Sequence, residues 1–381
     1  MIIKNANVVF EDVTKKCDLK VENGKFTEIK ENILPVDGDE IIDFSGKYII
    51  SGFIDTHTHG AFGFRYISPD ADLNKISEFE AKNGVTAVAP TFSSYNIEIL
   101  KPAVDNVLKY IKGKTTGAKF IGIHSEGPYL NLERKGGMDA EYITPPTVEK
   151  FNKLYDSLEG EMRILTIAPE TEGAFDVIKE AIKKGVKVSA GHTSASYDLM
   201  LKAIDAGVSR MTHTFNAAVG INHRNPGVLG AALTDSRINC EVICDFVHLH
   251  PAAVNLIYKA KGAKNFTAIS DSLFMAGLPE GEYKYFGRDY TVKGGVAYLP
   301  DGTISGSSRT LLDSFHNLMS LNIPINDITV MMSANPAKAL GEYENMGSIA
   351  VGKCADFIVL DDKFNLEKTF VDGECVYTEV K

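Results

Sequence analysis

Two histidines separated by a single residue, His57 and His59, are the first side chains in this sequence that could carry chemistry. They follow an apolar run at residues 48–50 and a Ser-Gly turn, which places them at the end of a predicted buried strand. Side chains two apart on a strand point to the same face, so the imidazoles converge. Imidazole is a common ligand of zinc and iron, and such a pair leaves positions open for other ligands and a water. The pair predicts part of a metal site, provided that the chain supplies further ligands.

The elements that must position these ligands are short apolar runs, which alternate with mostly helical stretches along the middle of the chain. This alternation is typical of an α/β protein with a parallel sheet. Eight runs are the number in a (β/α)8 TIM barrel, whose active site lies at the carboxyl ends of the strands. The runs are residues 53–54, 85–91, 120–124, 163–168, 186–190, 211–214, 241–245 and 266–270.

Metal-binding residue types stand at or just past six of these eight runs. Glu126, His192 and His213 supply one carboxylate and two imidazoles, which leaves a position for water, as in catalytic rather than structural sites. We expect these three residues to hold one divalent ion. His57 and His59 are expected to hold a second ion beside it, with Glu126 bridging the two.

An ion held in this way lowers the pKa of its bound water toward neutrality and polarises a substrate carbonyl. A side chain must then take the proton of that water and deliver it to the leaving group. Asp271, at the end of the last run, is the candidate general base and acid. The predicted reaction is metal-assisted hydrolysis of an amide or an ester.

The two ends of the chain differ from its centre. Residues 1–50 contain short alternating apolar runs and turns, among them the hairpin signal Asn23-Gly24, and residues 342–381 have the same pattern. We expect both ends to form one small β-sandwich domain and residues 51–341 to form the barrel. Runs at 283–286 and 290–292, with glycine turns after them, predict β-hairpins inserted around residues 280–306.

Composition excludes several classes of partner. Fifty acidic against forty basic residues give a formal charge of −10, and no basic stripe is present, so nucleic acid is not expected as a partner. No apolar run approaches the roughly 20 residues of a membrane helix, and the N-terminus lacks a secretory pattern, so we expect no membrane association and a cytoplasmic protein. Five scattered cysteines argue against a disulfide framework, and Cys240 and Cys244 are expected to be core thiols.

The motifs resemble those of a known superfamily. Residues 52–60 look like the opening signature of the amidohydrolases, and residues 335–341 with 347–356 resemble their closing signature. Within that superfamily, five further segments are similar to N-acetylglucosamine-6-phosphate deacetylases, and the likeness covers nearly the whole chain. These segments are residues 124–131, 191–193, 212–217, 224–227 and 302–307.

The resemblance implies hydrolysis of the acetamide of N-acetylglucosamine 6-phosphate to glucosamine 6-phosphate and acetate, in amino-sugar breakdown or recycling. It also implies a homodimer in which Arg224 reaches into the neighbouring subunit's site and binds the substrate phosphate together with His248. A few anion-binding groups of this kind are what an acidic protein needs for an anionic substrate. The implied substrate contacts are Gly137, Asn216, Ala217, Arg224, His248, Ile304, Ser305 and Gly306.

Two departures from the family pattern bear on the chemistry. Some members replace the first two histidines by glutamine and asparagine and use a single metal, whereas this chain keeps His57 and His59, so one or two ions per subunit are both compatible. Zinc and iron are the expected metals. Many members also carry a histidine where this chain has Met138, so that residue's role in polarising the carbonyl does not transfer.

Two other functions stay open at this point. Dihydroorotase- or hydantoinase-like enzymes act on cyclic amides, and they typically bridge two metals with a carbamylated lysine at the end of the fourth strand. Here that strand is followed by Pro169-Glu170 without a lysine, and the carboxylate comes from the third strand. A non-catalytic relative kept as a scaffold usually loses ligands, whereas this chain has a suitable residue at each expected position.

Overall fold

The barrel is a parallel sheet whose strands pair in chain order. The computed structural model describes residues 1–94, 97–285 and 287–379, with backbone alone at 97–99. The eight barrel strands are Phe53–Thr58, Val85–Ser93, Ile123–Glu126, Met162–Ile167, Lys187–Ala190, Arg210–Met211, Asn239–Ile243 and Phe266–Ile269, and a ninth, two-residue strand of the same sheet, Lys119–Phe120, pairs with Val85–Ser93. The predicted (β/α)8 fold is confirmed. Phe286, which the sequence places in a hairpin strand, and residues 380–381 of the predicted small domain lie outside the described residues.

The last strand returns to the first and nearly closes the barrel. The Asp271 amide donates to the His57 carbonyl at 2.9 Å, and the His59 amide donates to the Ser272 carbonyl at 2.8 Å. These bonds form at the carboxyl end of the first strand and just past the end of the eighth. They therefore fix the backbone of three predicted site residues relative to one another.

Helices cover the outside of the barrel, and several begin at side chains that cap their free backbone amides. Asp72 and Ser196 accept such bonds, and Thr310 forms a reciprocal capping box with Asp313. Within the described residues, no helix combines the length and apolar character that a bilayer crossing requires. The helices are Leu73–Lys82, Ile97–Ile111, Val148–Ser157, Ala174–Lys183, Tyr197–Asp205, Gly227–Thr234, Pro251–Lys261, Leu311–Ser320, Ile325–Thr329 and Asn335–Leu340, with a π-helical turn at Val330–Ala334 and 3-10 turns at Leu132–Arg134, Ala140–Tyr142 and Ala263–Asn265.

Both termini contribute to a second sheet of eight strands, which is consistent with the small β domain predicted from the two ends of the chain, although the strands form one sheet. Tyr48–Ser51 pairs antiparallel with Phe357–Leu360, which joins the N-terminal and C-terminal segments directly. Apolar side chains from both segments, such as Phe26 and Phe357, share one buried core. The strands are Ile2–Val9, Thr14–Glu22, Lys25–Lys30, Ile41–Asp43, Tyr48–Ser51, Phe357–Leu360, Leu366–Val371 and Glu374–Thr378.

A four-stranded antiparallel sheet follows the eighth barrel strand and stands beside the carboxyl ends of the barrel strands. Its strands are Gly281–Tyr285, Arg288–Lys293, Val296–Tyr298 and Ile304–Ser307. The Phe274 ring stacks on Tyr285 with ring centroids 4.3 Å apart, and Tyr290 packs edge-on against the Phe274 ring. The inserted sheet is therefore anchored to the segment that follows Asp271.

We propose the domain division derived from the sequence, residues 1–50 with 342–381 against residues 51–341. Tyr48–Ser51 belongs to the terminal sheet, and Phe53–Thr58 begins the barrel. Three charged side chains tie the two parts together: the Lys119 ammonium lies 2.7 Å from Asp356 Oδ2 and 2.9 Å from Asp372 Oδ1. The buried thiols Cys240 and Cys244 are free, as expected.

Replacing Lys119 by methionine should lower the free energy of unfolding by about 3 kcal/mol, because it leaves the buried Asp356 carboxylate without its cation. Denaturant unfolding followed by circular dichroism measures the change. Lys101→Met is the matched control, since Lys101 and its partner Asp105 are both exposed and such a pair contributes little. Equal stability of the two variants would show that the Lys119–Asp356 ion pair does not stabilise the protein.

Candidate metal centre and active site

Four imidazoles converge on the single carboxylate of Glu126, at the end of the third barrel strand. His192 Nε2 and His213 Nε2 each lie 3.1 Å from Oε1. His57 Nε2 lies 3.4 Å from the same oxygen, and His59 Nε2 lies 3.3 Å from Oε2. All five predicted ligands are buried. The structure thus brings together residues from the ends of the first, third, fifth and sixth strands.

Three of the four imidazoles make a hydrogen bond through Nδ1, on the side of the ring away from Glu126, so Nε2 faces the carboxylate. In a neutral imidazole that donates from Nδ1, Nε2 carries the lone pair that a metal requires. The Nδ1 partners are Glu241 Oε2 at 3.2 Å for His57, Ser93 Oγ at 3.1 Å for His59 and the Arg134 carbonyl at 2.7 Å for His192.

The backbone at the strand ends adopts a conformation that non-glycine residues rarely take. His192, His213 and Asp271 have φ angles of +47°, +25° and +47°, in or near the left-handed region. Such residues cost about 1–3 kcal/mol each and persist where surrounding structure enforces them. The strain turns these three side chains from the strand direction into the common centre.

The donor set fits divalent cations. His192 Nε2 and His213 Nε2 face each other at 3.1 Å, and His213 Nδ1 has no hydrogen-bond partner, so both rings can present an Nε2 lone pair to an ion. His57 Nε2 is buried without a hydrogen-bond partner. Its ring, His59 and Asp271 form a second set whose ligand atoms lie within 4.8 Å of one another, beside the first set on Glu126. Imidazole and carboxylate ligands suit zinc and iron.

The charges at the centre keep its carboxylates ionised. Burial opposes ionisation of Glu126, but positive charge on the surrounding imidazoles, His57 first, outweighs it and holds the pKa well below its usual value. Burial likewise opposes ionisation of Asp271, and His57 and His59 lower its pKa. Asp271 is therefore anionic at neutral pH, as a general base must be.

A pocket of about 300 Å³ opens above this centre. His57 is the one predicted ligand that does not line it, and its side chain is fully buried. Besides the other four ligands and Asp271, the lining includes most of the predicted substrate contacts. These are Gly137, Asn216, Ala217, His248, Ile304, Ser305 and Gly306.

Arg224 does not join this pocket in the single chain. Its side chain is exposed, and its Nη1 donates to the neighbouring His223 ring at 2.7 Å. The sequence analysis expects this arginine in the site of the neighbouring subunit. Its position in a single chain does not test that expectation, which stays a prediction.

The sequence analysis did not predict two residues at or beside the site. Arg288, on the inserted sheet, lines the pocket and donates to the Gly137 carbonyl at 2.9 Å while it pairs with Asp139. An exposed hairpin gives no sequence signal for such a contact. Glu241 did leave a signal, since an acid inside an apolar run is costly to bury unless it is paired.

The barrel, the donors at its strand ends and the adjoining pocket define a hydrolase-like centre suited to metal ions. Residues 48–376 match the model of the amidohydrolase family, and the chain belongs to that family. The match extends from the last strand of the N-terminal segment to the final strand of the terminal sheet.

Individual relatives are similar over nearly their full length. An N-acetylglucosamine-6-phosphate deacetylase of Bacillus subtilis is 31% identical, with 99% of this chain and 97% of the relative covered. An N-acetylgalactosamine-6-phosphate deacetylase of Escherichia coli O157:H7 is 28% identical, with 93% of each covered. A mutant N-acetylglucosamine-6-phosphate deacetylase of Mycobacterium smegmatis, solved with N-acetylglucosamine 6-phosphate, is 28% identical over 99% of each chain, with a TM-score of 0.92.

Removal of metal with a chelator should lower the melting temperature, and resupply of zinc should restore it. A ligand that binds only the folded state at 100 times its Kd stabilises by about 2.7 kcal/mol. Scanning calorimetry of stripped and reloaded protein measures this difference. Glu126→Gln, which removes the charge shared by both donor sets, should show a smaller difference. An identical melting temperature for stripped and reloaded wild-type protein would refute a metal centre.

Proposed function

We propose that the protein hydrolyses the acetamide of N-acetyl-D-glucosamine 6-phosphate to D-glucosamine 6-phosphate and acetate. The observation that carries the proposal is the Glu126 donor cluster, which opens into a substrate-sized pocket with the carboxylate of Asp271 at its base. Full-length similarity to sugar-phosphate deacetylases supports the choice of substrate. The absence of a lysine after the fourth strand argues against the cyclic-amide alternative.

Asp271 performs the proton transfers in this proposal. Its Oδ1 lies 3.3 Å from His59 Nε2, so the carboxylate borders the donor cluster and also faces the pocket. A divalent ion held by Glu126, His192 and His213 would lower the pKa of a water and polarise the acetamide carbonyl. Asp271 takes one proton from the attacking water and delivers it to the amide nitrogen as the C–N bond breaks, which yields the amine and acetic acid, and the acid then loses its proton to become acetate.

His248 and Arg224 bind the substrate phosphate in this proposal. The His248 ring donates from Nδ1 to Asp245 Oδ2 at 2.7 Å, which directs Nε2 toward the pocket. Burial lowers the pKa of His248, but the Asp245 carboxylate outweighs it and raises the pKa above its ordinary value. A protonated imidazole is an anion-binding group, and Arg224 of a second subunit adds a bidentate donor.

The finer features of the enzyme are inferences of the same kind. We infer zinc or iron as the native metal, one or two ions per subunit and a homodimer completed by the exchange of Arg224. Gly137, Asn216, Ala217 and the 304–306 segment would line the sugar. A phosphorylated sugar carries charge and does not cross a bilayer unaided, so we place the reaction in the cytoplasm.

The decisive experiment measures acetate release from N-acetylglucosamine 6-phosphate by the zinc-loaded protein. Asp271→Asn keeps the size of the side chain but removes the base, so kcat should fall by about 10²- to 10⁴-fold. The variant should keep its bound metal at Glu126, His192 and His213, and metal analysis checks this.

The substrate panel separates the alternatives. N-acetylglucosamine without phosphate should react poorly, and N-acetylgalactosamine 6-phosphate tests the epimer named for one relative. Turnover of dihydroorotate or hydantoin, with none of the acetylated sugars, would replace the proposal by the cyclic-amide reading. No turnover of any substrate by metal-replete protein would favour a scaffold.

The pH dependence of KM tests His248. Because Asp245 raises the pKa of His248, the imidazole stays protonated above the ordinary value of 6.5, and KM of the wild type should rise only at higher pH. In Asp245→Asn the raising charge is gone and burial lowers the pKa, so KM should rise at lower pH.

Steady-state kinetics between pH 5.5 and about 8.5 cover both transitions, since ordinary imidazole titrates in that interval. Asp271 stays ionised throughout this interval because its pKa is held below the ordinary value, so the kcat profile should keep its shape in Asp245→Asn. Superimposed KM profiles for the two proteins would show that His248 does not bind the phosphate as a cation.

A further inference from the structure

Glu241 lies in the middle of the seventh barrel strand, below the substrate pocket, and is completely buried. Its two oxygens have different partners. Oε1 accepts a hydrogen bond from Arg210 Nη2 at 2.9 Å, and Oε2 lies 3.2 Å from His57 Nδ1. The side chain is too deep to reach substrate, so any effect on the reaction must pass through one of these partners.

Stability does not explain a charged pair at this depth. Taking two ions out of water costs several kcal/mol each, and apolar pairs of similar volume are often as stable or more stable. Arg210 is itself buried, and its Nε–H has no hydrogen-bond partner, so the guanidinium is not fully satisfied. The benefit of keeping the Glu241–Arg210 pair must therefore lie in the contact that Glu241 makes with His57.

We propose that Glu241, fixed by Arg210, is the positioning residue that makes His57 a ligand of the second metal ion, with His59 and Asp271. The inference rests on the metal centre of the proposed function but not on its substrate. It assigns a role to two buried residues outside the pocket.

The reason lies in what a carboxylate can do. An ionised carboxylate only accepts hydrogen bonds, so Nδ1 of His57 must carry a proton and Nε2 must present its lone pair. A carboxylate behind a ligand also raises the basicity of the imidazole. His59 meets the hydroxyl of Ser93, which can donate or accept and so fixes no tautomer. Of these two ligands, only His57 has its tautomer imposed by a charge.

A separate metal site on the other side of His57 does not account for Glu241. His124 approaches the same pair closely enough to complete a three-ligand cluster. However, its Nδ1 lies 3.0 Å from the Thr56 carbonyl, and its Nε2 lies 2.9 Å from Thr166 Oγ1. With both nitrogens engaged, His124 has no lone pair to direct at an ion, and Glu241 acts on His57 alone.

Glu241→Gln tests the proposal at constant volume. Arg210 requires an acceptor, so the new amide must turn its oxygen to Arg210 and its NH₂ to His57 Nδ1. That nitrogen must then accept, the proton moves to Nε2, and the metal lone pair is lost. We expect zinc binding at the second site to weaken by about 10- to 100-fold, the usual effect of losing such an outer partner.

The arginine provides a rescue. In Arg210→Met with Glu241→Gln, the guanidinium is gone, so the amide oxygen no longer has to accept from it. The oxygen can then accept a hydrogen bond from His57 Nδ1. The double variant should regain second-site zinc, although two polar groups have now been lost. A purely structural role for the pair predicts the opposite order, with the double variant at least as impaired.

An apolar pair separates metal binding from folding. Arg210→Met with Glu241→Met removes both charges at similar volume and should unfold no earlier than the wild type. It leaves His57 Nδ1 without an acceptor, so the second ion should still be lost. Glu80→Gln is the matched control, because Glu80 is also a buried carboxyl but lies outside the donor cluster.

The measurement is the number of zinc ions per chain after equilibrium dialysis at buffered zinc, with the absorption spectrum of the cobalt-loaded protein as a second readout. We expect two ions in the wild type and Glu80→Gln, one in Glu241→Gln and the apolar pair, and recovery in the rescue variant. Wild-type affinity at both sites in Glu241→Gln, or a single ion in the wild type, would overturn the proposal. Deacetylase activity with one ion would leave the proposed function standing.

Discussion

A buried carboxylate facing four imidazoles is the constraint on which the site depends. A lone carboxylate in the position of Glu126 would be strongly unfavourable, because burial in a low-dielectric interior removes its hydration. The imidazoles that face it have lone pairs or protons of their own to satisfy. Cations placed among these groups satisfy the carboxylate and the ring nitrogens together. The same arrangement would therefore be poorly satisfied without positive charge and well satisfied with it.

The barrel is the element that makes such a cluster possible. Parallel strands that close on themselves bring their carboxyl ends to one place, so residues distant in sequence meet without long loops. The left-handed backbone at His192, His213 and Asp271 is strained, and the packed strands below and the bonds that close the barrel enforce it. The inserted sheet, anchored by Phe274, then confines the space above the cluster.

The sequence predicts those parts of the site that follow from the strand pattern. Ligands such as Glu126 and His213 stand at the ends of apolar runs, and the barrel fold fixes where run ends meet. Arg288 could not be foreseen, because its contact depends on how a hairpin folds back over the pocket. Glu241 could have been found, since an acid within a buried strand requires a partner, but naming His57 as that partner needs the register of the seventh strand against the first.

The site contains two carboxylate–imidazole pairs, Asp245 with His248 and Glu241 with His57, and their surroundings differ. Asp245 lacks a compensating arginine among its described contacts, and its charge raises the pKa of His248, which favours a cation that faces an anionic substrate. Glu241 shares its charge with Arg210, so its contact with His57 fixes where a proton sits without adding net negative charge. We propose that His248 binds an anion and His57 a metal ion, and the arginine beside Glu241 is a difference that the structure shows between the two pairs.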